Sequence, residues 1–407
     1  MQRSFIHLAF ILFIITAISG VWMRAVPFMA NSWIEYDHIL HGHSHIAMLG
    51  WTFLGLFIVF LALLWPNLKQ KKQAIALTFT LFIVSVIMFF AFLYQGYGLY
   101  SIILSTIHIF VEYWAAYFIY KQLKAQDKLP KATLLFIKGS LIALIISSFG
   151  PYALGYTAAN DLRESPLFDM SVYFFLHFQY NGWLYLFAFG LFTMILYKKN
   201  IAFSKTLGKY SFCVYFISLF PWYVSSILWA DLGNFSRVIA TVGSIGQFIG
   251  VILALLLVKS AWTQVKQSYP KLTTFSLLIT FILLFAKSAM EIGLISPSLA
   301  NLVFDTRNVI IGYLHLTLLG FVSIFIITQF QMTGLIKTKT NLPLASITIF
   351  LIGFILNEAI LFLTGLASWT TSFTVPYPTQ TLLIASIILT IGVTSLWMSS
   401  NKFKETI

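Results

Sequence analysis

Eight histidines stand in an otherwise apolar chain, and four of them fall in one stretch, DHILHGHSHIAMLGW, from Asp37 to Trp51. These are His38, His41, His43 and His45. A neutral imidazole can ligate a metal, pass a proton or line a polar path, and it is costly in hydrocarbon unless it does one of these. His45 is followed by four residues and then by Gly50 and Trp51. The pattern returns as His177-FQYN-Gly182-Trp183 and as His315-LTLL-Gly320-Phe321, displaced by 132 and then 138 residues. One His-x4-Gly is a weak signal, because a single membrane histidine often just bonds a carbonyl. Three copies at near-equal spacing point to ligand duty and to an internal threefold repeat.

The first copy has a geometry of its own. On an α-helix His38, His41 and His45 follow i, i+3, i+7 and share a face. His43 points roughly 200° away from His45, so the His-x-His pair can serve two sites at once. His38 falls at the water boundary and is expected to be solvated. His41 is open to three roles: a second ligand, an entry residue or a partner for Asp37.

The elements that must position these residues are membrane helices. The chain of 407 residues is 59% hydrophobic and 9% charged, far below the roughly 25% charge of a soluble domain. Twelve apolar runs of spanning length occur at about 4–23, 39–65, 74–96, 99–121, 132–156, 168–197, 207–230, 237–260, 272–295, 308–335, 343–368 and 379–399. The expected fold is all-α, a single polytopic domain whose twelve spans form three pseudo-symmetric four-helix arcs of about 1–131, 132–271 and 272–407. Spans two, six and ten, which carry the histidine motifs, should be innermost. The first run has no small-x-small cleavage site after it and is read as an uncleaved span. With one cysteine, Cys213, an intramolecular disulfide framework and cysteine-ligated clusters are excluded.

Lysines occupy every second connection: Lys69, Lys71 and Lys72; Lys121, Lys124, Lys128 and Lys131; Lys198, Lys199, Lys205 and Lys209; Lys259, Lys266 and Lys271; Lys337 and Lys339; and Lys402 and Lys404 at the end. The positive-inside rule then puts both termini in the cytoplasm. Most of the net charge of +13 becomes a cytoplasmic rim against anionic lipid, not a nucleic-acid site. The outer connections carry arginine alone as cation, at Arg24, Arg163, Arg237 and Arg307. Arginine suits bidentate carboxylate binding, although pairing with neighbouring acids such as Asp305 is the plainer use.

In this topology His45, His177 and His315 lie about 10–14 Å below the outer boundary, in one layer. The glycine one turn further on removes bulk, admitting either a partner helix or a flat ligand. Other polar groups inside spans are His108 with Glu112, Lys287 with Glu291, and Glu358. The i, i+4 pairs read either as a proton path or ligand support, or as self-neutralising contacts between helices. For Lys287–Glu291 the second reading is preferred. His7, near the cytoplasmic end of span one, is read as structural.

Twelve spans, a cytoplasmic N-terminus, a three-by-four repeat and histidines in spans two, six and ten resemble the catalytic subunit of the heme-copper oxidases and nitric oxide reductases. The segment His43-Ser44-His45-IAM-Leu49-Gly50-Trp51 also resembles the His-x-His…Leu-Gly-Trp segment of the cbb3-type and nitric-oxide-reductase branch, where it lies in span ten. The resemblance implies a low-spin, bis-histidine heme, b-type, held by one histidine of span two (His45, or His41 or His43) and by His315 of span ten. The family's nonheme metal, copper or iron, would take His177, together with histidines at the start of span seven. Span seven here, SLFPWYVSSILW, has no histidine, and Asn181 stands where the family has a tyrosine. Implied with the family are a bacterial inner membrane location, a quinol or outer electron donor, other respiratory subunits, and reduction of dioxygen or nitric oxide. If heme occupies the layer, Arg24 and Arg307 are expected to pair with its propionates, with Asp305 orienting Arg307. The competing expectations are a non-enzymatic heme or metal sensor, carrier or assembly factor, and a transporter with a histidine-lined path.

Overall fold

The computed structural model describes residues 4–126, 129–336, 338, 341–370 and 372–401. Lys128, Lys337, Lys339, Lys402 and Lys404, which entered the topology argument, lie outside the described residues. Among those described there is no strand. Twelve helices are long and apolar enough to cross a membrane: Phe5–Phe28, Tyr36–Asn67, Lys71–Gln95, Leu99–Lys124, Lys131–Ala159, Pro166–Lys198, Lys205–Ala230, Asn234–Ser268, Lys271–Gly293, Arg307–Met332, Asn341–Thr370 and Pro378–Ser400. They are called spans one to twelve. The count agrees with the hydropathy reading. One element escaped it: a short helix, Pro297–Phe304, between spans nine and ten, started by a proline at its first turn and too short to cross.

Which spans are enclosed is decided by burial. The apolar window is 89% buried in span two and 94% in span six, against 39–61% in every other span. Span ten, at 61%, is no more enclosed than span five. Spans two and six are therefore the helices most enclosed by protein.

The chain divides into two compact units. One holds the chain up to Ile119, Pro270–Ser276 and everything from Leu318 on; the other holds Tyr120–Tyr269 and Leu277–Thr317. His41, His43, His45 and His108 belong to the first unit, and His177 and His315 to the second.

All three motif spans share a backbone feature. Span two is α-helical over Tyr36–His45, becomes a π-helical turn over Ile46–Thr52 and resumes as α-helix at Phe53. Span six does the same around His177–Leu184, and span ten around Leu316–Val322. In each case the histidine stands at the start of the wide turn and the glycine inside it. Wide turns of this kind are rare and gather at functional sites. Three of them stand at corresponding places of one sequence motif.

The motif glycines admit helices. A Cβ at Gly50 would meet Leu12 of span one at 3.4 Å and Ser85 of span three at 3.4 Å, and one at Gly182 would lie 2.6 Å from the Ala143 Cβ of span five. At both positions a neighbouring helix, not a flat ligand, takes the room. The adjacent tryptophans lock the packing. Trp51 stacks on Phe13 with centroids 4.2 Å apart, and its indole N–H donates to Ser323 Oγ at 2.9 Å. Trp183 stacks on Phe187 at 4.4 Å. Such pairs contribute about 0.5–1.5 kcal/mol beyond area burial.

Candidate functional site

In the first unit, span two presents two histidines on opposite faces with the same internal arrangement. The His45 Nδ1 lies 2.8 Å from the carbonyl oxygen of His41, one turn earlier. A carbonyl only accepts, so Nδ1 carries the proton and Nε2 is the bare nitrogen. His43 Nδ1 lies 3.0 Å from the Thr16 carbonyl oxygen of span one and 3.0 Å from Ser19 Oγ, which fixes the same tautomer. Anchoring Nδ1–H on a backbone carbonyl is how a ligand imidazole is oriented and made basic. Among the described residues Nε2 of His45 makes no hydrogen bond, and the side chain is half-buried. Its ring lies 4.2 Å from that of Phe92, while His41, also half-buried, lies 4.4 Å from Tyr97. This donor set fits an axial ligand.

Behind this face, His108 and Glu112 are fully buried. His108 Nδ1 is 3.1 Å from Glu112 Oε1, and Nε2 is 3.3 Å from Ser85 Oγ. Ser85 is the residue packed against Gly50, so the pair is connected to the motif of span two. Glu358, elsewhere in this unit, accepts from the side-chain amide of its neighbour Asn357 at 3.0 Å. His38 is not simply solvated: Nδ1 lies 3.3 Å from the Leu93 carbonyl oxygen and Nε2 3.5 Å from Glu35. His7 Nδ1 accepts from the indole N–H of Trp397 at 3.2 Å.

In the second unit His177 has a different setting. Nε2 donates to the Leu219 carbonyl oxygen at 2.8 Å, so Nδ1 is the acceptor, and it receives the Asn181 amide N–H at 3.3 Å. The amide is turned this way because its oxygen accepts from Lys287 Nζ at 2.6 Å. Lys287 also donates to Glu291 Oε1 at 2.7 Å, and Tyr313 donates to the same oxygen. The ammonium lies over three rings: Trp222 at 5.2 Å, and Tyr180 and Tyr313 at 5.6 Å each. Tyr215 closes the set by donating to the Asn181 backbone oxygen at 3.0 Å. Donor and acceptor roles thus run in one order from lysine to histidine, and both nitrogens of His177 are consumed.

The family's nonheme metal does not fit this arrangement. His177 has no bare nitrogen, a cation already stands one residue beyond it, and no group of three or more His, Cys, Asp or Glu side chains is gathered among the described residues. The remaining predicted residues sit where the spans put them. His315 is half-buried at the last turn before its wide turn, Arg307 is exposed at the first residue of the same helix, and Arg24 is half-buried in the last turn of span one.

The chain matches no protein-family model and no curated protein sequence. Reading the sequence missed the part played by Asn181 and Tyr313. The spacing His177 to Asn181, one helical turn, is the available signal.

Proposed function

We propose that this is a heme-binding integral membrane protein of the heme-copper-oxidase type, acting in respiratory electron transfer or dioxygen or nitric oxide chemistry. The observation that carries the reading is His45: an imidazole at the head of a wide helical turn, its Nδ1 proton anchored on a backbone carbonyl and its Nε2 unengaged. On the sequence resemblance, His45 and His315 are the two expected ligands of a low-spin b-type heme, with His43 or His41 as the substitute for His45. Such a heme supplies one-electron transfer at a potential set by its axial ligands and their hydrogen bonds. The chain's own contribution is to fix the ligand tautomer through the His41 carbonyl and to bury His108 and Glu112 behind the site. Arg24 and Arg307 would meet the propionates. A quinol or an outer donor would supply electrons in a bacterial inner membrane, with both termini cytoplasmic and other respiratory subunits as partners.

A second reading has its own support. The locked state of His177 favours a heme protein without a reducing metal centre: a carrier, sensor or assembly factor. A reduced-minus-oxidised optical spectrum of the purified protein tests the first claim. A low-spin heme spectrum that disappears in His45→Ala and in His315→Ala is expected. Wild-type spectra in both variants overturn the assignment, as does a heme-free protein, which returns the histidines to the transporter reading. Uptake of oxygen or nitric oxide by the heme-loaded protein separates oxidase from carrier.

A further inference from the structure

The cluster around Glu291 performs no task in the heme proposal, yet it is the most charged part of the second unit's interior. Glu291 is 97% buried. Both donors that reach it, Lys287 and Tyr313, converge on Oε1, and Oε2 is buried with no hydrogen-bond partner among the described residues. A carboxylate distributes donors over both oxygens, because each carries charge and each is costly to leave bare. An Oε1 that receives both donors beside a bare Oε2 is the pattern of an acid that can carry its proton on Oε2.

Protonating one member of a buried ion pair normally strands the other charge. Here the ammonium has support independent of Glu291. It keeps the Asn181 oxygen at 2.6 Å and the faces of Trp222, Tyr180 and Tyr313, and aromatic faces hold a desolvated cation well. The pair can therefore take up a proton without losing its lysine. Water is close. Glu291 is two residues before the end of span nine at Gly293, about 3 Å of helix rise. The titratable groups facing it are Lys287 on its own span, Tyr180 and, through Asn181, His177 from span six, Tyr215 from span seven and Tyr313 from span ten. Span eight contributes the uncharged Gln247, whose amide donates to the Ser288 carbonyl oxygen at 3.3 Å.

We propose that Glu291 is a reversible proton-binding site in the membrane interior, filled on Oε2 from the aqueous face at the Gly293 end of span nine while Lys287 stays a fixed cation. The step forms one O–H bond from a proton of the water phase and breaks nothing in the protein. Asn181, which cannot relay a proton without changing tautomer, ends the path short of His177. The proposal does not depend on heme, and its test needs none.

The full chain is reconstituted in phosphatidylcholine vesicles, and infrared difference spectra are taken between neutral and acidic buffer. A carboxylic-acid carbonyl band should rise as a carboxylate band falls, and shift on exchange into heavy water. It should vanish in Glu291→Gln, which keeps an oxygen acceptor for Lys287, and persist in Glu358→Gln and Glu112→Gln. Tyr313→Phe, which removes a donor to the ionised form, should retain the band and move its midpoint up by about one pH unit. A band that survives Glu291→Gln, no protonation band in the wild type, or an unmoved midpoint in Tyr313→Phe overturns the proposal. Should Glu291→Gln fail to fold, the Tyr313→Phe midpoint decides alone.

Discussion

Spans two and six carry the same motif, His-x4-Gly-Trp, at the same kind of wide turn, and their histidines end in different chemical states. His45 spends one nitrogen on its own helix and keeps the other. His177 spends both, one on Leu219 of span seven and one on Asn181. The difference lies at the residue one turn on. Leu49 cannot compete for a ring nitrogen, whereas Asn181 can, and Lys287 aims it. A repeated backbone site is therefore a platform, and its neighbours decide whether the imidazole is offered or locked.

The sharpest test of this contrast is spectroscopic. If heme is bound as proposed, His45→Ala removes the low-spin spectrum entirely and His177→Ala leaves it in place. Loss of heme in both at normal protein levels would show that the locked histidine also matters to the cofactor.

Next in size is the charge that does the locking. Lys287→Met leaves the Glu291 carboxylate buried without its cation and should destabilise the protein by about 3–5 kcal/mol. The double variant Lys287→Met/Glu291→Gln should recover most of this, read as the thermal unfolding midpoint in detergent. Equal midpoints for single and double variants would mean that the pair is not coupled.

The two glycines offer a smaller contrast. Gly182→Ala drives a methyl to within 2.6 Å of the Ala143 Cβ, against 3.2 Å from Ile46 Cγ1 for Gly50→Ala. Overpacking should cost about 1–3 kcal/mol in span six and less in span two, by the same melting measurement. Smallest is Trp51→Phe. It keeps a ring against Phe13 but loses the bond to Ser323, for about 0.5–1.5 kcal/mol.

Much of this was legible in the sequence. Twelve spans follow from hydropathy because a continuous apolar run of about 20 residues can satisfy its own backbone in lipid as a helix. The three motif copies were found from spacing alone, and the i, i+4 pairs His108–Glu112 and Lys287–Glu291 do meet as helix geometry requires. The fate of His177 was not legible. It depends on Lys287, 110 residues away in sequence, reaching Asn181, and on a carbonyl of span seven. Nor were the wide turns, since the 3.6-residue period assumed for a helix hides a local change of winding. The short Pro297–Phe304 helix escaped for a simpler reason: eight residues are too few for a hydropathy window.

Those wide turns change how the three spans must be drawn on a helical wheel. Each extra residue held within a turn sets back the side chains below it by one step, about 100°. The upper and lower halves of such a span are thus out of phase, and a stripe traced through His45 does not continue where an unbroken wheel would put it. One deletion inside Ile46–Thr52 would restore the phase and swing the whole lower half, Phe53–Leu64, onto different neighbours. The same deletion below Leu64 would shift only a connection.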